Sequence, residues 1–131
     1  MRKAKGFTLI ELLTVVAIIG IIAAIAYPSY MNSLRKGRRS DGQTALTNAA
    51  QALERCYTAY GKYNSDSCSM ASTLTGAGFA SQQNFYVVTA SSISATSFTL
   101  TAIGQGQQAD DPDCTNMELK NTGAKTPTDC W

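Results

Sequence analysis

The chain has no histidine, and so lacks the commonest general base near neutral pH and the commonest metal ligand. It also has no glycine-rich phosphate loop and no C-x-x-C pair among its four cysteines, so nucleotide, dithiol-redox and zinc-ribbon chemistry lack their usual residues. Charge is missing altogether from Leu12 to Tyr27, which rules out a solvated surface there. With 131 residues there is room for one domain and at most one appendage, not for a second enzyme-sized core. The acids Asp110, Asp111 and Asp113 fall short of the D-x-[DN]-x-[DN]-G calcium loop and are read as solvated loop acids. No catalytic residue, cofactor or metal site is expected.

What is present starts with a basic leader. Arg2, Lys3 and Lys5 account for three of the eleven basic residues, and without residues 1–6 the balance is eight basic against nine acidic, or −1. The overall +2 is therefore a property of the leader, and the remaining surface is close to neutral. Phe7 to Tyr27 follows, long enough at about 1.5 Å per residue to cross a bilayer core of about 30 Å. No A-x-A cleavage pattern ends it, and Tyr27-Pro28-Ser29-Tyr30 makes an aromatic boundary suited to a membrane interface. One acid, Glu11, lies at its edge. An ionised carboxylate near a bilayer centre costs roughly 2.5–3.5 kcal/mol on insertion scales, so a partner is expected for it.

Flanking charge does not orient the segment, because Arg35, Lys36, Arg38 and Arg39 balance the leader. Those four are expected to meet lipid head groups or neighbouring acids. Cysteine usage decides instead. Cys56, Cys68, Cys114 and Cys130 are even in number and lie in a Ser/Thr/Asn-rich region, which reads as two disulfides in an oxidising compartment outside the cytoplasm. Three pairings are possible. The sequential one, Cys56 with Cys68 and Cys114 with Cys130, is the simplest, and each bond would close a loop of about 15 residues worth about 3 kcal/mol in the chain-entropy model.

From Phe7 to about Tyr60 helix formers dominate, with Gly20, Pro28, Gly37 and Gly42 as points where the helix could bend or loosen. Beyond Gly42 an apolar stripe recurs at helical spacing (Leu46, Ala49, Ala50, Leu53, Cys56, Tyr57, Tyr60), while Asp41, Gln43, Thr47, Gln51 and Glu54 are placed on the opposite face. Tyr57, Tyr60 and Tyr63 are read as packing residues. Three runs have strand character: Asn84–Ala90, Thr96–Ile103 and Asn116–Asn121, the first two joined by a short hairpin-like connection at Ser91–Ala95. Gly61–Gln83 and Gly104–Asp113 are read as loops. The predicted class is α+β, a long helix laid on a small antiparallel sheet of three or four strands, with a C-terminal disulfide loop.

The run Lys5-Gly6-Phe7-Thr8-Leu9-Ile10-Glu11, the apolar helix and the Tyr27-Pro28-Ser29-Tyr30 boundary resemble the class III signal of type IV pilins and pseudopilins. The whole length resembles a type IVa pilin. Asp129-Cys130-Trp131 and Glu54-Arg55-Cys56-Tyr57 are more narrowly similar to PilE-type minor pilins. This resemblance implies a leader over 1–6 removed between Gly6 and Phe7 by a prepilin peptidase, N-methylation of Phe7, and Glu11 as an assembly contact. It divides the chain into the leader, a membrane and assembly helix over 7–30, and a periplasmic head over 31–131. Implied partners are other pilin subunits, the peptidase and an inner-membrane assembly platform; the implied location is the inner membrane before assembly and the extracellular pilus after it.

The function implied is a structural pilus subunit, a minor pilin first, with a major pilin, a type II secretion pseudopilin and a DNA-binding tip pilin as alternatives. Nucleic acid is not the expected partner. After Arg55 only Lys62, Lys120 and Lys125 are basic, against Asp66, Asp110, Asp111, Asp113, Glu118 and Asp129, where a DNA-binding head calls for a basic stripe with stacking aromatics.

Overall fold

The computed structural model describes residues 6–131, so the leader positions Arg2, Lys3 and Lys5 lie outside it. The chain divides into two units, residues 1–34 and 35–131. One helix, α1 (Leu9–Tyr60), belongs to both and runs through Pro28 without an assigned break.

In the first unit every large apolar side chain from Phe7 to Ile25 faces outward; Phe7 is 86% and Ile25 73% exposed. A helix apolar on all sides has no internal core to pack on and is suited to lipid or to other helices. The start of α1 is fixed by a reciprocal pair: the Glu11 N–H donates to Thr8 Oγ1 (3.3 Å) and the Thr8 N–H to Glu11 Oε2 (3.4 Å). That is a capping box, satisfying two of the backbone donors a helix start leaves open.

The second unit holds the core. Its part of α1 contributes Ala45, Leu46, Ala49 and Leu53, all buried. They share one apolar cluster with Tyr86, Val88, Phe98, Leu100, Ala102, Met117 and Leu119 from a five-stranded antiparallel sheet. The strands are β1 (Phe79–Ala80), β2 (Tyr86–Ile93), β3 (Phe98–Gly104), β4 (Asn116–Lys120) and β5 (Lys125–Thr126), each beside its neighbour in sequence. Along β3, Phe98, Leu100 and Ala102 are buried while Thr99 and Thr101 are only partly so, the period-2 alternation of a sheet with one face on a core. Burying a side chain such as Leu53 or Leu100 contributes about 1.5–3 kcal/mol.

Three differences from the sequence reading have identifiable causes. The sheet gains two-residue edge strands, β1 and β5, too short to leave a periodic signal. A short helix, α2 (Ser69–Thr75), lies inside the presumed loop Gly61–Gln83 and buries Ala71 and Leu74; its Ser and Thr content is weakly helical and masked it. Strand β2 continues past Ala90 through a bulge between Ala90 and Ser92, so the turn shrinks to Ser94–Ser97, closed by the Ser97 N–H on Ser94 Oγ (3.0 Å) and the Ser94 N–H on Ser97 O (2.8 Å).

Gly42 is not a weak point either. A Cβ there would lie 2.6 Å from Met117 Cε and 2.8 Å from Tyr86 Cδ2, so the missing side chain is what lets the helix approach the sheet.

Candidate functional site

Gly6 and Phe7 precede the helix and are exposed, and a Cβ on Gly6 would meet nothing within 4 Å. Glu11 is also exposed, on the first turn of α1. Its capping role has a local signal in the spacing Thr8-x-x-Glu11. The window of α1 with mean hydropathy 2.7 is wholly exposed among the described residues. In this unit the chemistry on offer is association: an apolar surface with a single acid at its head.

In the second unit one stretch of α1, residues 39–43, holds three separate parts of the head. Arg39 and Asp111 form a two-pronged pair, Nε to Oδ2 and Nη2 to Oδ1, each 2.7 Å. Asp111 is fully buried, whereas the Arg39 side chain keeps 14% of its exposure. The hydrogen bond from Arg39 holds the Asp111 carboxyl below its ordinary range, and the same bond raises Arg39. Gln108 extends the network, its Nε2 donating to Asp111 Oδ2 (2.7 Å) and to the Tyr86 hydroxyl (2.9 Å), while Tyr86 donates to Cys114 O (3.0 Å). Burial pushes the Tyr86 hydroxyl upward.

Asp41 makes the second attachment. It accepts from the Ser81 hydroxyl and from the N–H groups of Gln83 (3.1 Å) and Phe85 (3.4 Å), fixing the β1–β2 connection. Gln43 makes the third, donating from Nε2 to Cys130 O (2.6 Å). The disulfides in the structure are Cys56–Cys68 and Cys114–Cys130. The first ties the end of α1 to the N-cap of α2; the second joins the segment before β4 to the final turn.

These contacts correct two sequence readings. Asp111 is not a solvated loop acid; the 3-10 turn Gly106–Gln108 folds it under the head, where Arg39 neutralises it. Asp41 does not face away from the core side but is buried against the β1–β2 connection. Arg39 meets an acid, one of the two partners expected for its basic cluster, and that acid is Asp111 of its own chain; Arg38 lies over the Phe85 ring (4.9 Å to its centroid). Partners 72 positions apart for Asp111 and 40 to 44 apart for Asp41 leave no local pattern, so neither buried acid could be found from spacing. Of the three tyrosines, Tyr63 is buried between Tyr57 and Phe98, whereas Tyr57 and Tyr60 remain exposed.

Two family models match successive stretches of the chain. Residues 1–27 match the prokaryotic N-terminal methylation motif. Residues 28–118 match the family described as type IV minor pilin ComP, DNA uptake sequence receptor. Among solved structures, the non-core minor pilin PilV of Neisseria meningitidis is 26% identical over 71% of this chain and 85% of that one, with a TM-score of 0.55. A type IV pilin from Shewanella oneidensis is 32% identical over 74% of this chain and 97% of that one, with a TM-score of 0.49. No curated protein matches. An N-terminal methylation motif leading into an exposed apolar helix, continuous with a disulfide-bonded α+β head that matches the minor-pilin family over residues 28–118, places this chain: it belongs to the ComP family of type IV minor pilins.

Proposed function

We propose that this minor pilin is cut between Gly6 and Phe7 by a prepilin peptidase, methylated on Phe7, held in the inner membrane with its head in the periplasm, and drawn into the pilus through Glu11. One observation carries the reading. An apolar helix with no packing partner of its own bears a single acid five residues into the processed chain. The amine freed on Phe7 of an adjacent subunit is a cation that would compensate this carboxylate and set axial register. Two substitutions separate that role from the capping box. Glu11→Gln keeps the reach of the side chain to the Thr8 N–H but removes its charge, whereas Glu11→Ala removes both. Incorporation into sheared filaments should fall severalfold for both variants, with processing and membrane insertion intact. If Glu11→Gln assembles like the wild type, capping rather than charge is the function of this residue.

A second reading, DNA reception at the pilus, is favoured by the family match over residues 28–118. The exposed basic residues available for it are Lys36 and Arg55 on α1 with Lys62, Lys120 and Lys125 on the head. Burial of Asp111 against Arg39 takes one acid off the surface, although Asp110 and Asp113 stay exposed. The full chain should then retard duplex DNA with an affinity that falls steeply with salt. Absence of binding at 50 mM salt would leave the structural role alone.

A further inference from the structure

We propose that a cavity beside Trp131 receives the phosphoethanolamine headgroup of a membrane phospholipid. The cavity, of about 310 Å³, is lined by Lys36, Arg39, Gln43, Asp129, Cys130 and Trp131, at the small end of ligand-sized clefts. Part of its donor set is free: Arg39 is paired with Asp111 and Gln43 with Cys130 O, which leaves Lys36, Arg39 Nη1 and the Trp131 indole N–H. Lys36 is exposed and makes no ion pair among the described residues. Arg39 gives Nε and Nη2 to Asp111, and no hydrogen bond among the described residues uses Nη1. The Trp131 indole N–H is enclosed with no acceptor, a cost that an oxyanion would relieve after a small shift of the ring. Gln43 is held by its bond to Cys130 O, which fixes the floor of the cavity.

One wall carries the opposite sign. Asp129 is exposed and makes no ion pair among the described residues. A phosphate flanked by Lys36 and Arg39 would leave this carboxylate opposed if the ligand were a polyanion such as DNA. In a zwitterion it becomes the seat of the ammonium. Placement supports a lipid source. Lys36 stands only nine positions after Tyr27 at the aromatic boundary, so the chain cannot carry the cavity more than about 32 Å from the membrane interface. This inference rests on the reading of the chain as membrane-held.

Trp131 is the one tryptophan in the sequence, so its emission reports on the cavity directly. The full chain is placed in nanodiscs of phosphatidylcholine alone, or with phosphatidylethanolamine or phosphatidylglycerol added. Phosphatidylethanolamine should shift the emission and lower iodide quenching at least twofold relative to phosphatidylcholine, and soluble glycerophosphoethanolamine should reproduce the change in detergent. Lys36→Gln and Asp129→Asn should each remove at least half of it, with circular dichroism unchanged. An equal response to phosphatidylglycerol would show surface attraction only. A response to inorganic phosphate or a DNA duplex without one to glycerophosphoethanolamine would make this a general anion or nucleic-acid site. Either result, or no response at all, overturns the proposal. Co-elution with the discs tests membrane insertion separately, and the detergent titration decides the cavity even where insertion fails.

Discussion

Arg39 and Asp111, 72 residues apart in sequence, meet through two parallel 2.7 Å hydrogen bonds, with the carboxylate fully buried. Removing one partner of a buried pair leaves an uncompensated charge. Asp111→Ala is expected to cost about 3 kcal/mol, the low end for such losses, because Arg39 keeps some contact with water. The pair also gives a pH signature. A carboxyl held below its ordinary value of about 3.9 contributes stability that is complete above that pH and is lost as the pH falls from there through the folded value. Urea melts between pH 3 and 6 should show a steeper acid-side loss for the wild type than for Asp111→Asn.

Gly42 and Gly37 sit on the same helix and should respond in opposite directions to alanine. At Gly42 the new methyl collides with Tyr86 and Met117, and overpacking of this kind costs about 1–3 kcal/mol, more than the helix-propensity gain of about 1 kcal/mol. At Gly37 nothing lies within 4 Å. Gly37→Ala should stabilise by up to about 1 kcal/mol, and thermal melts of the two variants would show it.

Tyr63 donates to Glu54 Oε1 (2.8 Å) from a site only 6% exposed. Burial first, and then this hydrogen bond, push its hydroxyl up to about 12. In the unfolded chain a tyrosine loses its proton near pH 10. Because the folded state keeps the proton longer, stability is complete below about pH 10 and declines as the pH rises towards 12. Tyr86 is raised as well, so an absorbance titration should resolve two late-titrating tyrosines, of which Tyr63→Phe removes one.

The two disulfides close loops of sequence separation 12 and 16, each worth about 3 kcal/mol in the chain-entropy model. Replacing either pair by serine should lower the denaturant midpoint markedly. The Cys114–Cys130 variant should lose more, since both of its half-cystines are buried and Cys130 O anchors Gln43.

Much of this molecule could be read from sequence because its signals are local. The charge-free run after Glu11, the stripe Leu46–Ala49–Leu53 and the alternation in β3 each express one periodicity of one element. What escaped was non-local or very short. Asp41 and Asp111 look like ordinary surface acids until the β1–β2 connection and the 3-10 turn fold over them. Edge strands of two residues have no period to detect. Glu11 carries two signals at once, a lone charge at the edge of an apolar run and a capping-box spacing to Thr8, and the second is satisfied within its own first turn.

The strand order β1-β2-β3-β4-β5 follows the chain without a crossover. Each strand can therefore dock on the one before it as the polypeptide emerges N-terminus first, with the buried face of α1 already made. No strand has to wait for a later one to open a place between finished neighbours, and loop-closure entropy is met in small steps. The Cys114–Cys130 bond spans β4 and β5 and closes only after both are present. Because Cys130 follows β5, this bond forms only once the residues of every strand have been synthesised, and it is the last covalent closure available to the head.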